Sequence, residues 1–110
     1  MFEKLSAVFL IGQNLEASRR FYTEILGLKE ASADKYHIRY EVGGVYLVIH
    51  GPISDEELAA WSLEPVREPL GAGVVVTLQA ENVDAAFEAL SKKGADIIFP
   101  PRDAPWGVRL

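Results

Sequence analysis

The stretch AVFLIGQNLEA at residues 7–17 returns as VVTLQAENVDA at residues 75–85. In each copy an apolar, strand-like run ends at an asparagine, Asn14 or Asn82, and an amphipathic helical pattern follows. Each helical pattern stops at a glycine, Gly27 in the first copy and Gly94 in the second. A repeat of this length in a short chain means that the fold is built from two similar halves.

Working outward from the first copy, Leu5–Gly12 reads as a buried strand, rich in branched and aromatic residues. Asn14 is a helix N-cap, and Glu16 lies in the first turn, where a carboxylate suits the helix dipole. Leu15, Ser18, Phe21, Tyr22, Ile25 and Leu26 share one face of a helix predicted over Leu15–Leu26. Gly27 supplies a left-handed C-terminal residue. A short strand follows near Leu28–Ala33, with a turn at Asp34-Lys35. Strands Tyr36–Val42 and Val45–His50 flank Gly43-Gly44, a two-residue hairpin turn. The first unit is thus βαβββ and ends near Pro52.

Residues 53–72 form a connector. Ser54 and Glu57 make a capping box that opens a short helix to about Trp61. Leu63–Ala72 is rich in proline and glycine and reads as linker. The second unit, residues 73–110, repeats the plan with a strand Val74–Ala80, the cap Asn82 and a helix Val83–Lys93. A strand Asp96–Phe99, a break at Pro100-Pro101 and a strand Trp106–Leu110 follow. The first unit continues at this stage with one more hairpin and strand, and the second copy has no such segment. The expected class is α+β: a single domain of two tandem βαβββ modules, a curled mixed sheet with helices outside, the second module short by its last strand.

The 110 residues are 49% hydrophobic, enough for a buried core at this length. There is no cysteine, so disulfide frameworks and thiolate metal sites are excluded, in keeping with a cytoplasmic location. The opening Met1-Phe2-Glu3-Lys4-Leu5 does not read as a signal peptide. The net charge of −5 and the lack of any basic run argue against nucleic acid and anionic membrane as partners. A small molecule or another subunit is left.

Two βαβββ units with this strand–Asn–helix–Gly plan resemble the glyoxalase / bleomycin-resistance / extradiol-dioxygenase superfamily, the vicinal oxygen chelate proteins. The residues that carry the likeness are Asn14 to Tyr22 and Ile25-Leu26-Gly27-Leu28 in the first half. In the second they are Asn82 to Phe87, Gly94-Ala95 and Pro105-Trp106-Gly107. The resemblance implies curled sheets that enclose a pocket, and a homodimer. Metal-dependent members hold a metal with residues in the first and last strands of each unit. Aligned on the caps, those positions fall at Ala7, Val75 and about Val48, and the fourth lies on the absent strand. Alanine and valine offer no donor atom, whereas a metal site needs imidazole, carboxylate or thiolate. No metal cofactor is therefore expected at the usual site.

Strand alternation sorts the candidate ligand-binding residues. With Val8, Leu10, Ile38, Tyr40, Val42, Val45, Leu47 and Ile49 toward the helices, the opposite face carries Ala7, Phe9, Ile11, His37, Arg39, Glu41, Tyr46, Val48 and His50. Of these, Phe9, Ile11, Arg39, Tyr46, Val48 and His50 are the ligand-binding candidates. The second unit would add Val75, Thr77 and Gln79, and the repeat matches Arg109 with Arg39. Apolar walls with two arginines suit a planar organic molecule bearing a carboxylate or similar anion. The plain alternatives are that Arg39 and Glu41 form an exposed strand pair, that His37 is solvated beside its turn, and that Trp61 and Trp106 are packing residues. The cluster Asp55-Glu56-Glu57 fits a helix first turn. The expected function is small-molecule binding of the bleomycin-resistance type. A metal-dependent lyase or dioxygenase with ligands at non-standard positions is the alternative.

Overall fold

The computed structural model describes residues 1–110. Contacts divide the chain into two compact units, Met1–Ala72 and Gly73–Leu110.

The first unit is a complete βαβββ module, followed by a short helix. Its elements are β1 (Ala7–Ile11), α1 (Leu15–Arg19) running into a π-helical segment (Arg20–Ile25), β2 (Lys29–Ala33), β3 (His37–Val42), β4 (Val45–His50) and α2 (Asp55–Ala60). The strands form one open, curled mixed sheet in the order β1-β4-β3-β2. The edge strand β1 pairs in parallel with β4, and the other neighbours are antiparallel. Ile38, Tyr40, Leu47 and Ile49 make the buried core on one face, with Val8, Leu10, Leu15, Tyr22, Leu28 and Val42 packed against it. The alternation read from the sequence therefore holds: the helix-facing residues are the core, and the intervening residues lie on the other face.

The asparagine caps repeat in detail. The Asn14 side chain accepts the Ala17 N–H at 3.1 Å, and the Asn82 side chain accepts the Ala85 N–H at 2.9 Å. Each satisfies one of the free donors of a helix first turn.

The second half of the first helix departs from the expected α-helix. Residues 20–25 wind as a π-helix, and the Leu26 N–H donates to the Phe21 carbonyl, five residues back. The repeat gives the reason. Gly27 follows Asn14 by thirteen positions, whereas Gly94 follows Asn82 by twelve. The extra residue is absorbed as one wide turn, so the helix still ends where β2 must begin. The closing bonds differ by the same step: Ala95 N–H reaches the Leu90 carbonyl, and Leu28 N–H reaches the Tyr22 carbonyl. Arg19 and Thr23 anchor the wide turn to the sheet. Arg19 Nη2 lies 3.1 Å from Glu30 Oε1, Thr23 Oγ1 donates to Glu30 Oε2 at 2.7 Å, and Thr23 Oγ1 and Tyr40 Oη share a bond of 2.8 Å.

The second unit contains α3 (Val83–Lys92) and one isolated bridge between Asp103 and Arg109. The strands expected at Val74–Ala80 and Asp96–Phe99 do not form. In the first unit β1 is laddered to β4 alone. Val74–Ala80 has no strand beside it in the structure to pair its backbone, and Val75 is 89% exposed. Trp106–Leu110 is also corrected: Pro105, Trp106 and Gly107 are a turn, not strand. The Gly107 N–H donates to the Ala104 carbonyl, and Ala104 N–H donates to Val108 O at 2.7 Å. Gly107 has φ 92°. Proline at the second turn position and a left-handed glycine at the fourth make a three-residue hairpin loop with a bulge. Residues 108–110 then fold back on 102–104 rather than on 96–99.

Candidate functional site

The sheet face opposite the core holds the first-unit candidates in register. One row runs Ala7, Tyr46, Glu41 and Lys29; the next runs Phe9, Val48, Arg39 and Ser32; the third runs Ile11, His50 and His37. Val48 sits at the centre of the face and is 7% exposed, flanked by Phe9 on β1 and Arg39 on β3. Phe9 is 48% exposed, and Ile11, Tyr46 and His50 are half-buried.

Arg39 lies over the Tyr46 ring, with its guanidinium carbon 4.2 Å from the ring centroid. A cation held on an aromatic face keeps its in-plane donors free. Arg39 forms no ion pair, whereas Arg19 and Arg109 do. Glu41 turns instead to the hairpin, where its carboxylate accepts the Gly44 N–H at 3.3 Å.

At the other end of the face four rings meet. His50 stacks with His37 at 6.1 Å between centroids, packs against Phe9 at 5.7 Å, and meets Trp61 edge-on at 6.4 Å. Trp61 follows α2, whose N-cap Ser54 accepts the Glu57 N–H and whose Leu58 is buried. That helix delivers the indole to the edge of the site. In the sequence, strand alternation puts His37 on this face as a residue solvated beside its turn, and Trp61 reads as a packing residue. The signal for His37 was its position opposite His50 across the Gly43-Gly44 hairpin. No local pattern placed Trp61, because a connector helix sets its position.

Asp34 holds His37 in place. Its Oδ1 accepts the Tyr36 and His37 backbone N–H groups at 2.7 and 2.9 Å and lies 3.1 Å from His37 Nδ1. The two backbone bonds hold the Asp34 carboxyl below the usual carboxylate range. His50 Nδ1 lies 2.8 Å from the Gly51 carbonyl oxygen.

The second-unit candidates lie among that unit's own residues. Val75, Thr77 and Gln79 are exposed along the unladdered run. Arg109 is bound to its own unit: Nε and Nη2 donate to the two Asp84 oxygens, each at 2.8 Å, and Nη1 donates to Asp103 at 3.0 Å. This fork ties the C-terminal hairpin to the first turn of α3 and holds the Asp84 carboxyl low. Arg109 and Arg39, matched by the repeat, thus have different partners: carboxylates for one and an aromatic ring for the other.

The residues at the family's metal positions do not fit a metal. Ala7 and Val48 share the sheet face opposite the core, Val75 stands on the unladdered run, and all three side chains are hydrocarbon. No group of three or more His, Asp or Glu side chains comes together to hold a metal ion. No helix is long and apolar enough to cross a membrane.

Comparison with known proteins agrees with this architecture. The family model described as Glyoxalase/Bleomycin resistance protein/Dioxygenase superfamily matches residues 4–110. A glyoxalase/bleomycin resistance protein/dioxygenase from Nocardioides superposes with a TM-score of 0.75 at 27% identity, covering 96% of this chain and 72% of that one. A glyoxalase-related enzyme from Fulvimarina pelagi gives 0.74 at 24% identity, covering 98% and 77%. A protein of unknown function from Agrobacterium tumefaciens str. C58 gives 0.76 at 21% identity, covering 99% and 82%. The latter two show the likeness of fold alone. No curated protein sequence matches this one.

Proposed function

We propose that this chain, which belongs to the Glyoxalase/Bleomycin resistance protein/Dioxygenase superfamily, binds a small organic anion with a planar apolar body, without a metal at the family's usual positions. The ligand lies on the face of the first unit's sheet that carries Phe9, Ile11, Val48 and Tyr46. The observation that carries this reading is Arg39, laid on the Tyr46 ring and without a carboxylate partner, beside the apolar Val48. Apolar walls with a few orienting polar groups are the usual make-up of a small-molecule site. Arg39 would pair with the anion through two parallel hydrogen bonds. Phe9, His50 and Trp61 supply aromatic surface for a planar body.

The same reading makes the chain a homodimer. Val75 and its apolar neighbours Val74, Val76 and Leu78 are exposed on a run with no paired backbone, a template for association with another chain. Light scattering well above micromolar concentration should return twice the chain mass, and a monomer there would count against this part.

Tryptophan fluorescence tests the ligand. Titration with benzoate and 2-naphthoate, set beside their uncharged amides, should show saturable binding that favours the carboxylates. Arg39→Ala should erase that preference, and Phe9→Ala should weaken both series. Equal binding of acid and amide, or an Arg39→Ala response like that of the unaltered protein, would overturn the reading.

A further inference from the structure

We infer that His37 and His50 form a binding site for a divalent transition metal of the imidazole-preferring class, such as zinc or nickel, at a place separate from Ala7, Val48 and Val75. His50 also borders the surface proposed for the organic ligand, but the metal site does not depend on that ligand.

Backbone pairing brings the two rings together. His37 and His50 are directly opposed on the antiparallel strands β3 and β4. The Gly51 N–H donates to the Tyr36 carbonyl, so the adjoining pair occupies the hydrogen-bonded position of the ladder. His37 and His50 therefore occupy a non-hydrogen-bonded position, where opposed side chains approach most closely. Their rings lie within 14° of parallel, with centroids 6.1 Å apart.

The ring nitrogens are sorted by their partners. A carbonyl oxygen only accepts, so His50 Nδ1, 2.8 Å from the Gly51 oxygen, carries the proton. His37 Nδ1 faces the Asp34 carboxylate at 3.1 Å, and that negative charge favours the proton on the same nitrogen. In each neutral ring the Nε2 lone pair is then left free for a metal. Metal-binding histidines almost always donate the other ring N–H to a carboxylate or a backbone carbonyl; His50 has such a carbonyl, and His37 has a carboxylate beside it. Asp34 is fixed by two backbone donors, so its charge stays beside the His37 ring. The His37 side chain is 31% exposed, which leaves an entry path from solvent.

A shared ion about 2.0–2.1 Å from each Nε2 requires the two near-parallel rings to tilt toward one another from their present 14° arrangement. No third acidic or imidazole group joins the pair as a ligand. The remaining coordination positions are open to water or to an oxygen donor from solution. Imidazole favours zinc, nickel and copper over magnesium, so magnesium should not bind here.

Calorimetric titration of the untagged chain with zinc and nickel chloride should show one equivalent bound, and magnesium chloride should give no heat. Long-range nitrogen–proton spectra should show the Nε2 signals of both histidines moving while both Nδ1 atoms stay protonated. His37→Ala and His50→Ala should each abolish binding, and Asp34→Asn should weaken it by roughly 10- to 100-fold. The spectra of the unaltered protein decide the matter even where a variant folds poorly. Unmoved Nε2 signals, binding that survives in the double variant, or no saturable binding at all would each overturn the inference. The aromatic carboxylate titration would stand unchanged in any of those cases.

Discussion

Replacing Thr23 by valine should cost more stability than removing the hydroxyl it bonds. Tyr40 is fully buried, and its Oη has Thr23 Oγ1 as its hydrogen-bond partner at 2.8 Å. Thr23→Val keeps the side-chain shape but strands the buried phenol, a loss of about 1–3 kcal/mol, and also removes the 2.7 Å bond to Glu30. Tyr40→Phe removes the phenol itself, while Thr23 keeps Glu30 as acceptor, so only one ordinary hydrogen bond is lost, about 0.5–1.5 kcal/mol. In the double variant the phenol that would have been stranded is gone. The double cost should therefore fall below the sum of the single costs by roughly 0.5 kcal/mol or more. Equilibrium urea denaturation of the four proteins, followed by circular dichroism, measures all three quantities. If Tyr40→Phe proves the more costly single change, or if the two costs simply add, the reasoning about the stranded phenol is wrong.

Alkali should act on the same residue. Burial raises the Tyr40 pKa above the ordinary tyrosine value, so the neutral phenol favours the folded state. Its contribution is complete below the unfolded pKa near 10 and is lost as pH rises through the raised folded value; Tyr40→Phe should flatten that alkaline limb, as read from urea midpoints across pH. In acid, Asp84 behaves in the opposite sense. Its pKa is lowered by Arg109, so its contribution is present above the unfolded carboxylate pKa and fades as pH falls through the folded one; Arg109→Ala should raise the Asp84 pKa in an NMR titration. Asn14→Ala and Asn82→Ala should each cost about 1 kcal/mol in urea denaturation, since each asparagine caps a helix in the same way. A cost near zero at either position would show that the first-turn donors find another partner.

Much of this molecule follows from local pattern. The strand alternation over residues 38–49 placed Ile38, Tyr40, Leu47 and Ile49 in the core, because a half-buried sheet sorts side chains with a period of two. The caps and their glycines were equally legible, being short-range chemistry. Strand formation in the second unit was not, because a strand exists only with a neighbour. The run VVVTLQA at 74–80 has the composition of β1 but no ladder. Trp106 and Gly107 were read as the start of a strand because the turn signal of Pro105 and Gly107 was outweighed by the apolar residues around it. In the site, the register set Val48 between Phe9 and Arg39 as the alternation implied. The partners of Arg109 could not be read, since nothing in sequence order links it to Asp84, twenty-five residues away.

The parallel pairing of β1 with β4 also imposes an order on folding. β2, β3 and β4 are neighbours in sequence and join through short turns, so their pairing closes small loops and starts quickly. β1 must wait for a partner that begins at Val45. On a ribosome that adds about 5–20 residues each second, Ala7 would emerge roughly 2–8 seconds before that partner. During that interval the apolar segment Ala7–Ile11 has no place in the sheet. Phe9 and Ile11 would thus be the last first-unit strand residues to take their places on the ligand-facing surface. Within the native protein, β1 has one strand neighbour, and its detachment would remove one wall of that surface while leaving the β2–β3–β4 meander paired.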